Sequence, residues 1–264
     1  MAQLLNPGHF THILLDEAAQ ALETEAIMPL VLAEQGTRVV LAGDHMQLEP
    51  NITSDFAKEK KLGVSLLERL YYLYPVDFPC KIMLVENYRS HEAIVDYTSD
   101  MFYQQKLVAS GKQPAHSAWY PLTFFTARGE DIQESASTSY YNNSEVAEIV
   151  DRLAELRRNW PKQWGKKEEA EIGVVTPYHD QVQMIRGELR KKKLYNISVE
   201  RVLNVQGKQY RAIFISTVRT RKTCNKTDSN QMTTLDFGYV SISFIGILVS
   251  VLVQMQILQK LINF

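Results

Sequence analysis

Nine consecutive residues, His12-Ile13-Leu14-Leu15-Asp16-Glu17-Ala18-Ala19-Gln20, limit what this chain can fold into more than any other stretch. An apolar run containing β-branched Thr11 and Ile13 stops abruptly at two adjacent carboxylates. This is the pattern of a buried parallel strand that delivers acidic groups to the rim of a sheet. In open α/β sheets ligands bind outside the carboxyl ends of the strands, which puts Asp16 and Glu17 where a nucleotide would sit. An Asp in that place suits Mg²⁺, a small hard cation that prefers oxygen ligands. A Glu beside it suits the orientation or deprotonation of a water attacking a γ-phosphate. Taken alone, the pair reads equally as an acidic strand end before a helix.

The rest of the chain repeats the arrangement. Residues 23–33 form an expected helix with Ala26, Ile27, Leu30 and Val31 on one face, closed by Gly36. Residues 37–42 follow as a second buried strand, ending in Gly43-Asp44-His45-Met46-Gln47-Leu48-Glu49-Pro50. An amphipathic helix over 62–74 is broken by Pro75 and Pro79, where a domain boundary is expected. Residues 81–85 read as a short strand running into Glu86-Asn87-Tyr88-Arg89-Ser90, with Ser90 capping a helix to about Tyr103. A strand is expected over 121–127 and a surface loop over 129–143. Ser144 then caps a helix whose apolar face is Val146, Ile149, Val150, Leu153 and Leu156. A strand at 172–175 leads into Thr176-Pro177-Tyr178-His179-Asp180-Gln181 and another helix. Two further strands, 199–205 and 212–218, flank Gln206-Gly207-Lys208. Such alternation argues for an α/β fold with two layers built on mostly parallel sheets.

At 264 residues there is room for about two domains, each able to bury a core. A net charge of -1 carries no whole-chain basic signal, so any contact with nucleic acid must be local. The two cysteines, Cys80 and Cys224, form no metal-type cluster, and no histidines pair at ligand spacing, so no zinc is expected. The opening residues lack the basic and long apolar regions of a secretory signal.

The motifs at these strand ends closely resemble successive motifs of superfamily 1 helicases. They are Asp16-Glu17-Ala18-Ala19-Gln20, residues 43–50 and Asn87-Tyr88-Arg89-Ser90, and the match is best with the RNA-helicase branch that includes the nonsense-mediated-decay helicase. Gly173-Val174-Val175-Thr176-Pro177-Tyr178 and Gln206-Gly207-Lys208 continue in the same order. Residues 206–211, followed by 216–221, look most like the zinc-finger-bearing helicases of that branch. The resemblance covers residues 1 to about 241.

It implies two RecA-like (P-loop NTPase) parallel-sheet domains that clamp ATP and Mg²⁺ between them and carry nucleic acid across their top. The first occupies residues 1–78 and is cut short at its N-terminus; the second occupies 79–241 and is altered at its C-terminus; 242–264 is a divergent apolar tail. By resemblance Asp16 holds Mg²⁺, Glu17 activates water, Gln47 senses the γ-phosphate and Arg89 acts as an arginine finger, all converging on one cleft. For Arg89 a surface ion pair with Glu86 or Glu92 is the simpler alternative. Thr176, Tyr178 and Gln206 resemble positions on the nucleic-acid track, though Tyr178 reads equally well as a packed strand-end aromatic. Gly207 would let the backbone approach the nucleotide, and a plain turn explains it nearly as well. The family often has Glu where Gln209 stands, so no role is carried to that position. The basic runs 186–193 and 219–226 have charge to attract RNA, but the first is better read as a solvated helix end. The implied partners are single-stranded RNA bound without regard to sequence, and proteins of RNA decay or ribonucleoprotein assembly. The implied location is cytoplasmic, with a nuclear share left open.

Two departures qualify this picture. No GxxxxGK[ST] phosphate loop occurs in these residues, and the Thr-Arg-Ala-type motif expected after Leu235-Asp236-Phe237-Gly238-Tyr239-Val240-Ser241 does not follow. The expectation is therefore part of an ATP-dependent RNA helicase core that is inactive as this isolated chain. The alternative is a non-catalytic RNA- or protein-binding module that keeps the helicase fold. The uncharged stretch 237–259 is long enough to span a membrane but lacks an aromatic belt, and a membrane anchor is not the expected reading.

Overall fold

The computed structural model describes residues 5–111, 119–123, 125, 127–205 and 208–219. They belong to two compact units that divide between Val85 and Glu86.

The first unit begins with β1 (His12–Leu15), helix α1 (Glu23–Leu30) and β2 (Arg38–Leu41). The two strands pair in parallel, from His12 opposite Arg38 to Leu15 opposite Leu41, as a strand–helix–strand crossover requires. At the start of α1 the Glu25 carboxylate accepts the Leu22 N–H at 2.9 Å, which satisfies one of the donors a helix start leaves unpaired. The helix is shorter than its sequence pattern predicts because Pro29 supplies no N–H; beyond it, Leu32 and Ala33 bond only three residues back. Two further helices follow, α2 (Asp55–Glu59) and α3 (Leu66–Leu73), each capped by a serine hydroxyl, from Ser54 and Ser65. Arg69 on α3 makes a two-pronged bond to Glu23 on α1, at 2.7 and 2.9 Å. That guanidinium holds the Glu23 carboxyl below its usual pKa.

The expectation that these strands are buried needs correction. Leu14 is 55% exposed, Val39 43% and Val40 37%. Among the described residues β1 and β2 bond only to each other, so one face and both outer edges have little to cover them. The expected strand at 81–85 is also absent: the segment is irregular, Ile82 is largely exposed, and regular pairing begins only at β3 (Glu86–Asn87).

In the second unit β3 pairs in parallel with the equally short β4 (Val108–Ala109), and α4 (Glu92–Phe102) lies between them in the chain. The cap of α4 is His91, whose Nδ1 accepts the Ala93 N–H, and not Ser90. Ser90 is buried, with its own N–H bonded to Asn87.

The main body follows: α5 (Asn143–Arg158), β5 (Ile172–Thr176), α6 (His179–Lys191), β6 (Ser198–Arg201) and β7 (Ala212–Ile215). The sheet order is β6-β5-β7, all parallel, and every residue of β5 is buried. Its β-branched, uncharged sequence suits the centre of a sheet covered on both faces. Val146, Ile149, Val150, Leu153 and Leu156 of α5 pack with Val182, Ile185 and Leu189 of α6 against Ile172 and Val174, as the helical spacing predicts. Gly173 has no Cβ because the Tyr210 ring occupies that space; an added Cβ would lie 2.6 Å from it.

β6 and β7 are shorter than expected. β5 stops at Thr176, paired with Arg201, and with no further partner the chain coils into a tight turn over Val202–Asn204. The described residues of 121–127 form no strand; Pro121 lacks a donor, and Phe125 is held by the Arg152 guanidinium 4.4 Å from its ring centroid. The cap of α5 is Asn142 and not Ser144: its amide oxygen accepts the N–H groups of both Ser144 and Glu145 at 3.1 Å. The apolar stretch 237–259 lies outside the described residues, among which no helix is long and apolar enough to cross a membrane.

Candidate functional site

At the carboxyl ends of β1 and β2 two turns meet. Ala42 donates its N–H to Leu15, and Ala18 donates to Ala42, both at 2.8 Å, so the strand pairing continues into both turns. Gly43 rests on the backbone of the first turn: a Cβ there would lie 2.8 Å from the Ala19 nitrogen and 3.0 Å from that of Ala18. Ala18 and Ala19 are buried, and only small side chains fit under this contact.

Asp16 is exposed at the rim, and its Oδ1 accepts the Glu17 N–H at 3.0 Å. Glu17 has a φ of 54°, in the left-handed region that a non-glycine residue enters at a cost of order 1–3 kcal/mol. Gln20 donates to its Oε2 at 3.2 Å. In the second turn Asp44 is the organiser, with Oδ1 accepting the Met46 N–H at 3.0 Å and Oδ2 accepting the Gln47 amide at 2.6 Å. Behind it His45 lies against Tyr71 of α3, ring centroids 4.3 Å apart, and burial lowers the imidazole pKa. The structure thus brings the Asp16–Glu17 pair and the Gln47 turn to one rim.

Arg89 belongs to the second unit. Asn87, almost wholly buried, accepts the N–H groups of Arg89 at 3.0 Å and Ser90 at 2.9 Å through its side-chain oxygen. This is an Asx-type turn, in which a short side chain takes the place of a backbone acceptor. The Arg89 guanidinium is half-buried, and that burial lowers its pKa.

At the β5 rim the Thr176 side chain is wholly buried, its hydroxyl 3.5 Å from the Tyr178 nitrogen. Tyr178 is half-buried and meets Tyr140 edge to face, with centroids 5.7 Å apart. Gln206 and Gly207 lie outside the described residues.

Sequence reasoning missed the polar network beneath this rim. Gln181, fully buried, donates to the Ser216 hydroxyl at 2.8 Å and accepts the Asn142 N–H at 2.9 Å. Asn142 also donates to the Val218 carbonyl at 3.3 Å. The Glu145 carboxylate accepts the N–H groups of Thr217 and Val218, at 2.8 and 2.7 Å. Burial raises its pKa, against the opposing pull of those bonds. Arg219 pairs with buried Asp131 at 2.8 Å, as an ion pair whose N–H is not aimed squarely at the oxygen. One signal was available: Gln181 stands in the apolar stripe of α6 with Ile185 and Leu189, where a polar residue needs partners.

Comparison with known proteins gives the relationship. Two family models, each described as an AAA domain, match residues 1–55 and 62–249. The human "Probable helicase with zinc finger domain" is 63% identical over 247 residues, which is 90% of this chain and 13% of that protein. The chain belongs to the superfamily 1 helicases. Human "RNA helicase Mov10l1" is 37% identical over 239 residues, covering 81% of this chain and 20% of its own length. Human "3'-5' exoribonuclease HELZ2" is 40% identical over 221 residues, covering 81% and 8%. This helicase segment therefore spans a small part of the curated relatives it matches, and its parallel strands and covering helices are those of an AAA-type helicase domain.

Proposed function

We propose that this chain is a portion of an ATP-dependent RNA helicase core, built on two RecA-like domains and coupling ATP hydrolysis to movement along RNA. The observation that carries this reading is the junction of the Asp16–Glu17 turn with the Gln47 turn on one sheet rim, through Gly43 and the Ala18–Ala19 backbone. The printed names of the relatives support RNA as the polymer.

Among the described residues no three acidic, histidine or cysteine side chains gather as a metal cage. That suits Mg²⁺, which commonly binds through one or two carboxylates plus substrate phosphates, and Asp16 is the residue that would hold it. When bound, the ion neutralises charge on the β- and γ-phosphate oxygens. Glu17 orients the attacking water and takes its proton, with the left-handed backbone and the Gln20 amide fixing where its carboxylate sits. Gln47, aimed by Asp44, donates to a γ-phosphate oxygen. Arg89 supplies a planar cation to the transferring group from the second unit. Thr176 holds the turn that presents Tyr178 to the RNA.

The test is ATP turnover by the longest form of the protein, with and without oligouridine. Glu17→Gln is expected to lower kcat by about 100-fold or more, the range for loss of a general base. RNA binding without any turnover would make the fold a non-catalytic RNA- or protein-binding module instead. The 264 residues alone, which contain no GxxxxGK[ST] sequence, are expected to release phosphate more slowly than about 1 per second. A faster rate that is lost in Glu17→Gln would defeat that expectation.

A further inference from the structure

The polar loop that precedes α5 is fastened to the β5 rim. Ser137 donates to the Asp180 carboxylate at 2.6 Å, and the Asp180 N–H donates back to the Ser139 hydroxyl at 3.2 Å. These bonds set the Tyr140 ring beside that of Tyr178, with planes 78° apart. From the other side of the unit's sequence Arg219 reaches Tyr140, its guanidinium carbon 4.0 Å from the ring centroid. Asp131, whose side chain is fully buried, pairs with Arg219 in turn.

Both tyrosines stay partly open to solvent while the ion pair behind them is buried. A buried ion pair adds little net stability, because desolvation offsets most of its attraction. What this one supplies is a fixed place for an aromatic ring on the surface. Aromatic faces held at a rim lined by hydroxyls and by the cationic edge of Arg219 suit the bases of a single strand, since every base has a π-face. Rings set nearly perpendicular cannot both stack on one base, so each takes its own.

We propose that Tyr140 is a second base-stacking contact for single-stranded RNA, presented beside Tyr178 by the Arg219–Asp131 pair. This rests on the RNA reading of the β5 rim given above.

The experiment uses the longest form of the protein and oligouridine carrying 5-iodouridine, which crosslinks to aromatic side chains under ultraviolet light. Peptides containing Tyr140 and peptides containing Tyr178 are both expected to carry RNA. In equilibrium binding Tyr140→Ala is expected to weaken affinity roughly 5- to 150-fold, the range for loss of one stacked base. Tyr140→Phe, which keeps the ring, should stay within about twofold, and the losses in Tyr140→Ala and Tyr178→Ala should multiply in the double variant. Crosslinking at Tyr178 alone, with parental affinity in Tyr140→Ala, overturns the Tyr140 contact and leaves the RNA reading standing. Absence of RNA binding by the parent, or parental affinity in Tyr178→Ala, overturns that reading and this proposal with it.

Discussion

The bonds that shape the β1–β2 rim are local, and those that shape the β5–β7 rim are not. Gln20 reaches Glu17 and Gln47 reaches Asp44, each three residues away. At the other rim Gln181 reaches Ser216 across 35 residues, Asn142 reaches Val218 across 76, and Glu145 holds Val218 across 73. The first rim carries its geometry inside its own motifs and stands on strands that are half open to solvent. The second has motifs that acquire their shape only when three distant segments close on one another. Damage to the first should therefore cost chemistry and little stability, and damage to the second should cost the fold.

The strongest way to break this contrast is Arg219→Met. It strands Asp131 in the interior, and removing one partner of a buried pair typically costs about 3–5 kcal/mol. All three tryptophans, Trp119, Trp160 and Trp164, pack on the core of the second unit, so urea unfolding followed by tryptophan fluorescence reads that unit selectively. A loss under about 1 kcal/mol would mean the network is ornamental. Gln181→Ala comes next, at about 2–4 kcal/mol by the same measurement, since it opens a cavity and leaves Asn142 and Ser216 each short of a partner.

Glu145 sharpens the comparison through pH. Its folded pKa is raised, so the folded state binds a proton more tightly than the unfolded chain does. The stability this contributes is fully present below the ordinary glutamate range and is lost as pH rises through the folded value. The melting temperature of the parent relative to Glu145→Gln should fall as pH is raised from about 4 to 7. A difference that grows over that window would reverse the sign argued here. The smallest effect belongs to Gln47→Ala, expected to change stability by no more than about 0.5 kcal/mol while impairing ATP turnover in the longest form of the protein.

The same contrast decides what could be read from the sequence. The parallel crossover from β1 to β2, the buried β5 and the apolar faces of α5 and α6 were legible, because each is written as a local period or a run. The meeting of the Asp16 and Gln47 turns was legible for the same reason, as each turn follows a strand end. The expected strand at 81–85 failed because an apolar run becomes a strand only where a neighbouring edge exists to pair with it. Ser90 and Ser144 lost their capping places to His91 and Asn142, whose choice depends on where the preceding chain lies. Asp131, Asn142 and Glu145 had no signal at all: in the sequence they are polar residues in or beside a polar loop, and only the distant Val218 and Arg219 give them a purpose.

The seat of Gly43 has a consequence for how this sequence is free to change. The atoms a side chain would strike there are the main-chain nitrogens of Ala18 and Ala19, which every amino acid possesses. A second substitution can usually rescue a clash by shrinking the neighbour, but no exchange of side chains removes a backbone atom. Position 43 is thus a lock without a second key. Any residue larger than glycine must push the two turns apart, and the lost alignment of Glu17 and Gln47 can be regained only by reverting the change itself.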